Sequence, residues 1–336
     1  MANPASVAIY GYRTQPFLRH TTTGSEAVID RVQSIEPSFT LRSDPYYELA
    51  RKGKIGTTQS PPEFRLTFEQ NMVNSMEAEF LMAGKGIAPA GAQSYNLGDF
   101  LNSAGKINAY VLLQNNDGTI YGEQEFTGLS LSEINYRFTI GGAITQSFAF
   151  VGTQGRFYVP PVTHSIFGTL DNVSLGGIHG KDTRVSLTSG SSQANMAWRL
   201  QNFNLRVAFP TVQVMELGNR TIQGTLSDVP DVNLDFDLLF GDQQPADKFF
   251  TLTGGYYDYQ NPVAAFNGFV RVFDPTQAEG LNVVKMFKIE NLLPTAHTPI
   301  RSQVRGLSTV RYSVAMSRES TTDSGGVIVS NRGDLT

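Results

Sequence analysis

Residues 32–69 read VQSIEPSFTLRSDPYYELARKGKIGTTQSPPEFRLTFE, and residues 200–237 repeat this pattern without a gap as LQNFNLRVAFPTVQVMELGNRTIQGTLSDVPDVNLDFD. The offset is 168 positions, and the Gly-Thr pairs at 56–57 and 224–225 coincide. Apolar residues alternate in phase at both ends of the two copies, at Ile35, Phe39, Leu41, Phe64, Leu66 and Phe68 and at Phe203, Val207, Phe209, Val232, Leu234 and Phe236. Alternation with period two is typical of a strand with one buried face. Each copy therefore predicts a strand, a long connection and a second strand.

The length of the chain agrees with a duplication. At 336 residues it has room for about two domains of ~150 residues each. A closing strand at 142–152 lies on 306–317 at an offset of 164, so a loop between the strands has lost four residues. We expect a first domain at 1–155, a linker at 156–172, a second domain at 173–316, and a flexible, polar C-terminal arm at 317–336.

Helical signals are few. Met72, Met76, Phe80 and Leu81 form a stripe at helical spacing that ends near Gly84. One helical turn is also expected in YYELARKG, residues 46–53, and a poorer counterpart of the first helix at 242–250. Further strands are expected at 107–113 and 269–273. The fold class is thus mainly β, with two tandem homologous domains of β-sandwich or barrel-like form, each with a short helix.

Composition narrows the class of function. The chain is 40% apolar and 17% charged, which is typical of a globular protein. Its net charge of -4 argues against binding nucleic acid by phosphate neutralisation, which needs clustered Lys and Arg. The absence of cysteine excludes disulfides and thiolate metal sites. Residues 1–17 contain no long apolar run, so we expect neither a signal peptide nor a membrane helix.

The sequence offers no catalytic constellation. The four histidines, at 20, 164, 179 and 297, lack the HxH and HExxH spacings of zinc sites. GGIHGKDT at 176–183 fails as a phosphate loop, because Leu175 and Asp182 occupy positions that need Gly and Ser or Thr. Asp235 and Asp237 have the separation of a glycosidase pair, about 7 Å along a strand, but nothing raises either one as an acid. We expect no catalytic, cofactor or metal site, and no enzyme.

The other face of the repeated strands is small, polar and mildly acidic. It carries six carboxylates and three arginines among Ser, Thr, Asn and Ala residues: Glu36, Glu63, Glu69, Asp231, Asp235 and Asp237, with Arg65, Arg206 and Arg311. An ordinary solvent-facing sheet is one explanation. The duplication supports another, because two like domains in one chain can replace two subunits of a symmetric ring. The edge strands of the domains then pair with their neighbours.

The order of these segments resembles the tail tube proteins of long-tailed bacteriophages, whose fold is shared with the inner tubes of contractile injection systems. The resemblance rests on a strand like VQSIEPSFTL, a connection containing YYELARKG, a strand like EFRLTFE, a helix, and a closing strand like GAITQSFAFVG. It covers the architecture of nearly the whole chain and depends on pattern and duplication.

The resemblance implies that three chains form a pseudo-hexameric ring and that rings stack into a hollow virion tail tube. DNA passes through the lumen without specific binding. The carboxylates that would face this lumen are Glu36, Glu63, Glu69, Asp231, Asp235 and Asp237. The connections at 43–62 and 210–230 would reach the adjacent ring, or remain solvated loops. The charged residues predicted for these contacts are Arg42, directly before the first connection, and Asp44, Arg51, Lys52, Lys54 and Arg220 within the connections.

The implied partners are other copies of the chain, together with tape measure, tail terminator and initiator or baseplate proteins. Assembly is expected in the host cytoplasm, with no cofactor and no membrane. A second reading is a carbohydrate- or receptor-binding β module of a virion, for which Tyr256, Tyr257 and Tyr259 are the candidate aromatic platform. An outer-membrane barrel also alternates, but the sequence disfavours it, because the expected signal peptide is missing.

Overall fold

The computed structural model describes most of the chain. The described residues are 14–40, 43–47, 54–59, 62–72, 76–85, 94–114, 120–159, 178–189, 192–195, 200–216, 222–239, 250–253, 256–262, 266–274, 283–301, 309–316 and 327–330.

Within the described residues, the first half of the chain forms eleven strands and two short helices. In chain order they are β1 (Thr14–His20), β2 (Glu26–Val28), β3 (Val32–Thr40), β4 (Ser43–Tyr47), β5 (Lys54–Gln59), β6 (Glu63–Asn71), α1 (Glu77–Met82), β7 (Ser94–Asn96), α2 (Leu97–Asn102), β8 (Ile107–Gln114), β9 (Ile120–Thr139), β10 (Thr145–Gly152) and β11 (Gln154–Tyr158). Helix α2 begins with a capping box, in which Asn96 and Asp99 each accept the other's backbone N–H.

The second half follows the same order. After a 3₁₀ turn at Gly180–Asp182 come β12 (Thr183–Ser189), β13 (Ser192–Asn195), β14 (Leu200–Ala208), β15 (Thr211–Val214), β16 (Gly224–Ser227), β17 (Asp231–Leu239), β18 (Phe250–Thr253), β19 (Tyr256–Pro262), β20 (Phe266–Phe273), β21 (Val283–Arg301), β22 (Thr309–Met316) and β23 (Val327–Ser330). The protein is mainly β, as its alternating sequence predicts.

The repeated stretches fold alike. Strands β3 and β14 begin and end 168 positions apart, and so do β6 and β17. Strands β10 and β22 are 164 positions apart, the offset that the sequence gives for the closing strands. Each long connection between the repeated strands is a separate antiparallel hairpin, β4–β5 in the first half and β15–β16 in the second.

Eight strands form one continuous antiparallel sheet across both halves. Their order is β3-β6-β10-β9-β14-β17-β22-β21. The two long strands then leave this sheet. The earlier part of β9 pairs with β8 and β11, and the earlier part of β21 pairs with β20 and β23. Strand β9 is therefore the seam, because its residues 133–137 pair with β10 of its own half and with β14 of the other half.

One hydrophobic core runs through both halves. Phe138 of β9 packs edge-on against Phe203 of β14, with ring centroids 5.2 Å apart, and against Phe287 of β21 at 6.3 Å. Phe100 of α2 packs against Phe209, which follows β14, at 5.9 Å. Each of these rings is buried, and fully burying one stabilises the fold by roughly 1.5–3 kcal/mol. The halves are therefore packed against each other as well as paired.

A buried ion pair lies where the first helix meets the second half. The Lys285 ammonium of β21 donates to the Glu79 carboxylate of α1, and the two side chains are 3% and 4% exposed. Glu79 also accepts from the Tyr95 and Tyr136 hydroxyls and the Gln146 amide. Burial lowers the pKa of Lys285, opposed by the charge of Glu79, whereas burial and that same charge raise the pKa of Tyr95 and Tyr136.

The helix predicted in the first half is confirmed but shorter than its stripe. Helix α1 has six residues and begins after Met72 and Met76. Both methionines are nevertheless buried together with Phe80 and Leu81, as the stripe predicts. The turn predicted at 46–53 is wrong at its start, since residues 46 and 47 belong to strand β4, and the rest lies outside the described residues. The counterpart predicted at 242–250 also lies outside them, apart from its last residue, which begins β18.

The predicted C-terminal arm contains a buried strand. Strand β23 pairs with β21 of the second half on one side and with β7 of the first half on the other. Val327 and Val329 are 1% and 2% exposed. These four residues are thus part of the core, and the rest of the predicted arm lies outside the described residues. Strand β11 likewise occupies residues 154–158, across the expected start of the linker.

Among the described residues no helix is both long enough and apolar enough to span a membrane.

Candidate functional surface

One face of the eight-stranded sheet is polar across both halves. Directly opposed residues of neighbouring strands point to the same side, so the registers define its rows. One row runs Glu36, Thr67, Ala149, Glu133, Ala208, Asp231, and another runs Thr145, Arg137, Asn204, Asp235, Ser313. The intervening residues point into the core, where Phe68, Phe148 and Phe236 are buried. We call this surface the polar face.

The polar face is more acidic than basic. Over β3, β6, β10, residues 133–139 of β9, β14, β17 and β22 it carries seven carboxylates, four arginines and no lysine. The carboxylates are Glu36, Glu63, Glu69, Glu133, Asp231, Asp235 and Asp237, and the arginines are Arg65, Arg137, Arg206 and Arg311. All six carboxylates expected from the sequence therefore share one face with each other.

Three of the arginines are held by carboxylates of the same face. Arg65 lies 2.6 Å from Glu63, Arg206 lies 2.7 Å from Glu133, and Arg311 binds both carboxylate oxygens of Asp237, at 2.8 and 3.1 Å. Hydrogen bonds to these carboxylates raise the pKa of Arg206 and of Arg311. Pairs this exposed contribute little stability, about 0–1 kcal/mol each. Their main effect is to cancel the positive charge of the face.

The remaining predicted carboxylates differ in setting. Glu36 and Asp231 are exposed, whereas Glu69 and Asp235 are half-buried. Asp235 accepts a hydrogen bond from the Ser313 hydroxyl. Asp237 is bound to Arg311, so both members of the glycosidase pair considered in the sequence have hydrogen-bond partners on the polar face.

Glu133 and Arg137 of β9 belong to the polar face and are absent from the sequence prediction. Strand β9 contains two glycines, Gly122 and Gly128, and a mixed polar pattern, so no clean alternation marks it. The segment NYRFT at 135–139 does alternate, and this was the available signal. The repeated stretches do not include β9, which joins the two copies, so only the structure shows that Glu133 and Arg137 belong to the polar face.

The sheet has two free edges among the described strands. At one end β3 pairs only with β6, and at the other residues 293–301 of β21 pair only with β22. These ends correspond to the two strands of the internal seam, since β3 has the same place in its half as β14, and β21 the same place as β9. Unpaired N–H and C=O groups at such edges are templates for pairing with another chain.

The hairpin β15–β16 presents apolar side chains to solvent. Val212, Met215, Leu226 and Val229 are all about half exposed or more, at 67%, 51%, 67% and 47%. The hairpin is nevertheless fixed at its base, where Thr225 bonds Ser130 and the Gln213 amide donates to the Gly152 carbonyl at 3.1 Å. An exposed apolar surface of this kind is typical of an interaction site.

The charged residues predicted to reach an adjacent ring are described only in part. Asp44 and Lys54 lie in the two strands of the hairpin β4–β5, so that connection is a hairpin. Arg42, Arg51, Lys52 and Arg220 lie outside the described residues. Tyr256, Tyr257 and Tyr259 of the alternative carbohydrate platform lie in β19, whose side chains are likewise outside the description. No cluster of three or more potential metal-binding side chains occurs in the part of the chain that is described.

No protein-family model and no curated protein matches the sequence. Among solved structures, a chain of the anti-feeding prophage baseplate is similar at 11% identity and a TM-score of 0.30, covering 47% of this chain and 98% of that one. A chain of the PVC sheath-tube complex, an extracellular contractile injection system in its extended state, is similar at 10% identity and a TM-score of 0.32, covering 50% and 98%. A chain of the anti-feeding prophage tube-terminating cap is similar at 13% identity and a TM-score of 0.33, covering 49% of this chain and 98% of that one. These weak likenesses, each over about half of this chain, are to components of contractile injection systems.

Proposed function

We propose that this protein is a structural subunit of a phage-like tail tube, which polymerises as stacked rings and encloses the channel for DNA. The observation that carries the proposal is the seam between β9 and β14, flanked by two free edges of the same kind. The β9–β14 seam is one junction of the proposed ring. The free edges of the sheet, β3 and β21, are the two sides of the next junction.

Ring closure follows from this arrangement. Strand β21 of one chain pairs with β3 of the next as β9 pairs with β14 within the chain, where Glu133 opposes Ala208 and Thr139 opposes Asn202. Such a contact joins two different surfaces head to tail, and it closes into a ring when the rotation allows. The resemblance found in the sequence gives three chains and six domains per ring.

In this assembly the polar face is the wall of the lumen. Its excess of carboxylates and its lack of lysine repel phosphates, while three of its arginines are held by carboxylates. A protein that neutralises phosphates binds DNA tightly and in a salt-dependent way, and this face does the opposite. DNA therefore moves along the wall without adhering to it. Four carboxylates of the lumen wall have no hydrogen bond to an arginine among the described residues, namely Glu36, Glu69, Asp231 and Asp235.

The hairpins β4–β5 and β15–β16 are the contacts between rings. The exposed apolar residues of β15–β16 supply contact area, and the charged residues of the first hairpin supply specificity. Other copies of the chain are the main partner, and tape measure, terminator and initiator proteins are the further partners of such a tube. The role is structural and involves no catalysis.

The first test is electron microscopy of the purified protein, with sedimentation over a range of concentrations and with sheared assemblies as seeds. We expect hollow rings or tubes with six-fold outline and three chains per ring. A chain that remains monomeric throughout, including with seeds, contradicts the proposal.

A second test addresses the lumen. Reversing Glu36, Asp231 and Asp235 to Lys should leave assembly unchanged but slow DNA delivery, because phosphates then bind the wall. The matched variant with Gln and Asn at these positions removes charge without reversing it and should deliver DNA faster than the Lys variant. Equal delivery by both variants contradicts the lumen assignment.

A further inference from the structure

An apolar groove of about 590 Å³ lies at the free end of the sheet, where β3 and β6 meet β11. Its lining includes Pro37, Phe39, Phe64, Phe126 and Phe157. Phe39 is 66% exposed and Phe157 is 54% exposed, which is unusual for rings of this size. Phe39 and Phe64 lie 6.5 Å apart, so the exposed rings form one surface.

The equivalent positions of the second half are buried. Moving 168 positions along the chain replaces Pro37, Phe39 and Phe64 by apolar residues that are 0–2% exposed, namely Leu205, Val207 and Val232. The same holds for the strand at the side of the groove. Strand β11 pairs with the earlier part of β9 as β23 pairs with the earlier part of β21.

Within this pairing Phe157 opposes Gln124, and Val329 opposes Phe287. Val329 is 2% exposed. Four positions that are buried in the second half thus correspond to residues that line an open groove in the first.

Elements of the first half contribute cover next to these positions in the second. Phe100 of α2 packs on Phe209, directly beyond β14, and Tyr95 of β7 opposes Val329 of β23. Both covering elements come from the segment between β6 and β8. Among the described residues, no element of this kind covers the groove. The groove is therefore the uncovered side of a junction whose covered form occurs inside the chain.

We propose that the groove receives the second half of another copy of this chain, through the segment between β17 and β20 that includes the hairpin β18–β19. This segment has the same place in the second half as β7 and α2 have in the first. Its sequence GGYYDYQ, residues 254–260, is rich in tyrosine, and aromatic residues suit a groove lined by phenylalanine. The proposal rests on the head-to-tail ring proposed above and identifies the second contact that closes it, on the core side of the sheet.

The test is a photo-crosslink from the groove. The full chain carrying p-benzoylphenylalanine at Phe157 is mixed with an isotope-labelled copy, assembled and irradiated, and crosslinked peptides are identified by mass spectrometry. We expect peptides in which residue 157 of one copy is joined to residues 250–262 of the other. The matched control carries the same photo-crosslinker at Ile140, which is 56% exposed at the opposite end of these strands and should not reach residues 250–262.

A double variant gives an independent measurement. Phe39→Ser with Phe157→Ser should weaken self-association on the order of 100-fold, because two rings lose a buried contact in the assembly. The unfolding midpoint of the isolated chain should stay unchanged, since both rings are exposed there. Rings that form with unchanged affinity overturn the inference.

The outcomes separate this inference from the ring itself. Two outcomes refute the assignment of β18–β19 to the groove and leave the tube proposal standing. They are crosslinks to another segment of a second copy, and the absence of crosslinks in sedimented assemblies. A chain that never self-associates overturns the tube proposal, and this inference with it.

Discussion

Replacing Lys285 by Met tests whether the buried ion pair holds the two halves together. The variant removes the ammonium but keeps an unbranched apolar stem of similar length. Glu79 then remains 4% exposed with no opposing charge, although the hydroxyls of Tyr95 and Tyr136 and the amide of Gln146 still donate to it. We expect a large loss of stability, because a carboxylate left without its cation keeps its desolvation penalty.

The magnitude follows from burial. Removing one partner of a buried pair costs about 3–5 kcal/mol, whereas replacing both partners by apolar residues is often close to neutral. Lys285→Met should therefore lower the free energy of unfolding by about 3–5 kcal/mol. Glu79→Leu combined with Lys285→Met removes both charges, but two hydroxyls and one amide then lose their acceptor at about 1 kcal/mol each. The double variant should therefore recover only part of that loss, up to about 2 kcal/mol.

The assay is urea unfolding followed by far-ultraviolet circular dichroism, at one low protein concentration for all variants so that self-association does not differ. Lys288→Met is the matched control, because it lies on the same strand and its contact with Glu290 is 3.4 Å long and nearer the surface. The control should lose at most about 1 kcal/mol. A single Lys285 variant that loses no more than this control, or a double variant less stable than the single one, refutes the reasoning.

Three further predictions concern a carboxyl group, a strand and a glycine. Burial, together with the charge of Glu77, raises the pKa of Asp30 to about 6, so the folded state binds the proton more tightly, and the resulting stabilisation is present below pH 3.8 and lost as pH rises through 6. At pH 7 the free energy of unfolding of Asp30→Asn should exceed that of the natural chain by about 1 kcal/mol, a value reduced from about 3 kcal/mol for solvent screening. Near pH 3.5 the two should be equal, as measured by urea unfolding at both pH values. A stability difference that is the same at both pH values contradicts the assignment. Ending the chain after Met316 removes β23 and should cost about 3–5 kcal/mol, because two valines lose their burial, and an unchanged melting temperature would show that β23 adds nothing. Gly128→Ala places a Cβ 2.4 Å from the Thr153 hydroxyl at a φ of +62° and should cost clearly more in thermal unfolding than Gly141→Ala, where φ is +75° and nothing lies within 4 Å; equal costs contradict the clash.

The parts of the fold that the sequence predicts well are those set by local alternation. Strands β6, β14 and β17 have one buried face each, and their period of two is unbroken over several residues. Strand β3 has the same period, but its apolar face borders the open groove and none of its residues is buried. Strand β9 is not predicted, because glycines and polar residues interrupt it and its partners lie in both halves. Strand β23 escapes notice since VIV is a short apolar run in a stretch rich in Ser and Gly. Composition cannot show that distant strands bury it.

The candidate surface divides in the same way. The spacing of the carboxylates along each strand predicts which of them share a face, and the registers of the strands agree with this prediction. The partners of those carboxylates do not follow, because Arg206 meets Glu133 across the seam between the two copies. The pair of Glu79 with Lys285 is equally invisible, since the two residues are far apart in the chain and neither lies in a motif.

The pairing of β7 with β23 has a consequence for synthesis of the chain. Strand β7 ends at Asn96, whereas β23 begins at Val327, so at ~5–20 residues per second the ribosome supplies the partner on the order of ten to forty seconds later. During that interval the first half cannot complete its sheet, and the seam edge of β9 also waits for β14. A nascent chain with open strand edges is prone to pair with neighbours on the same message. Translation speed and chaperone access should therefore influence the yield of native protein more than its final stability does.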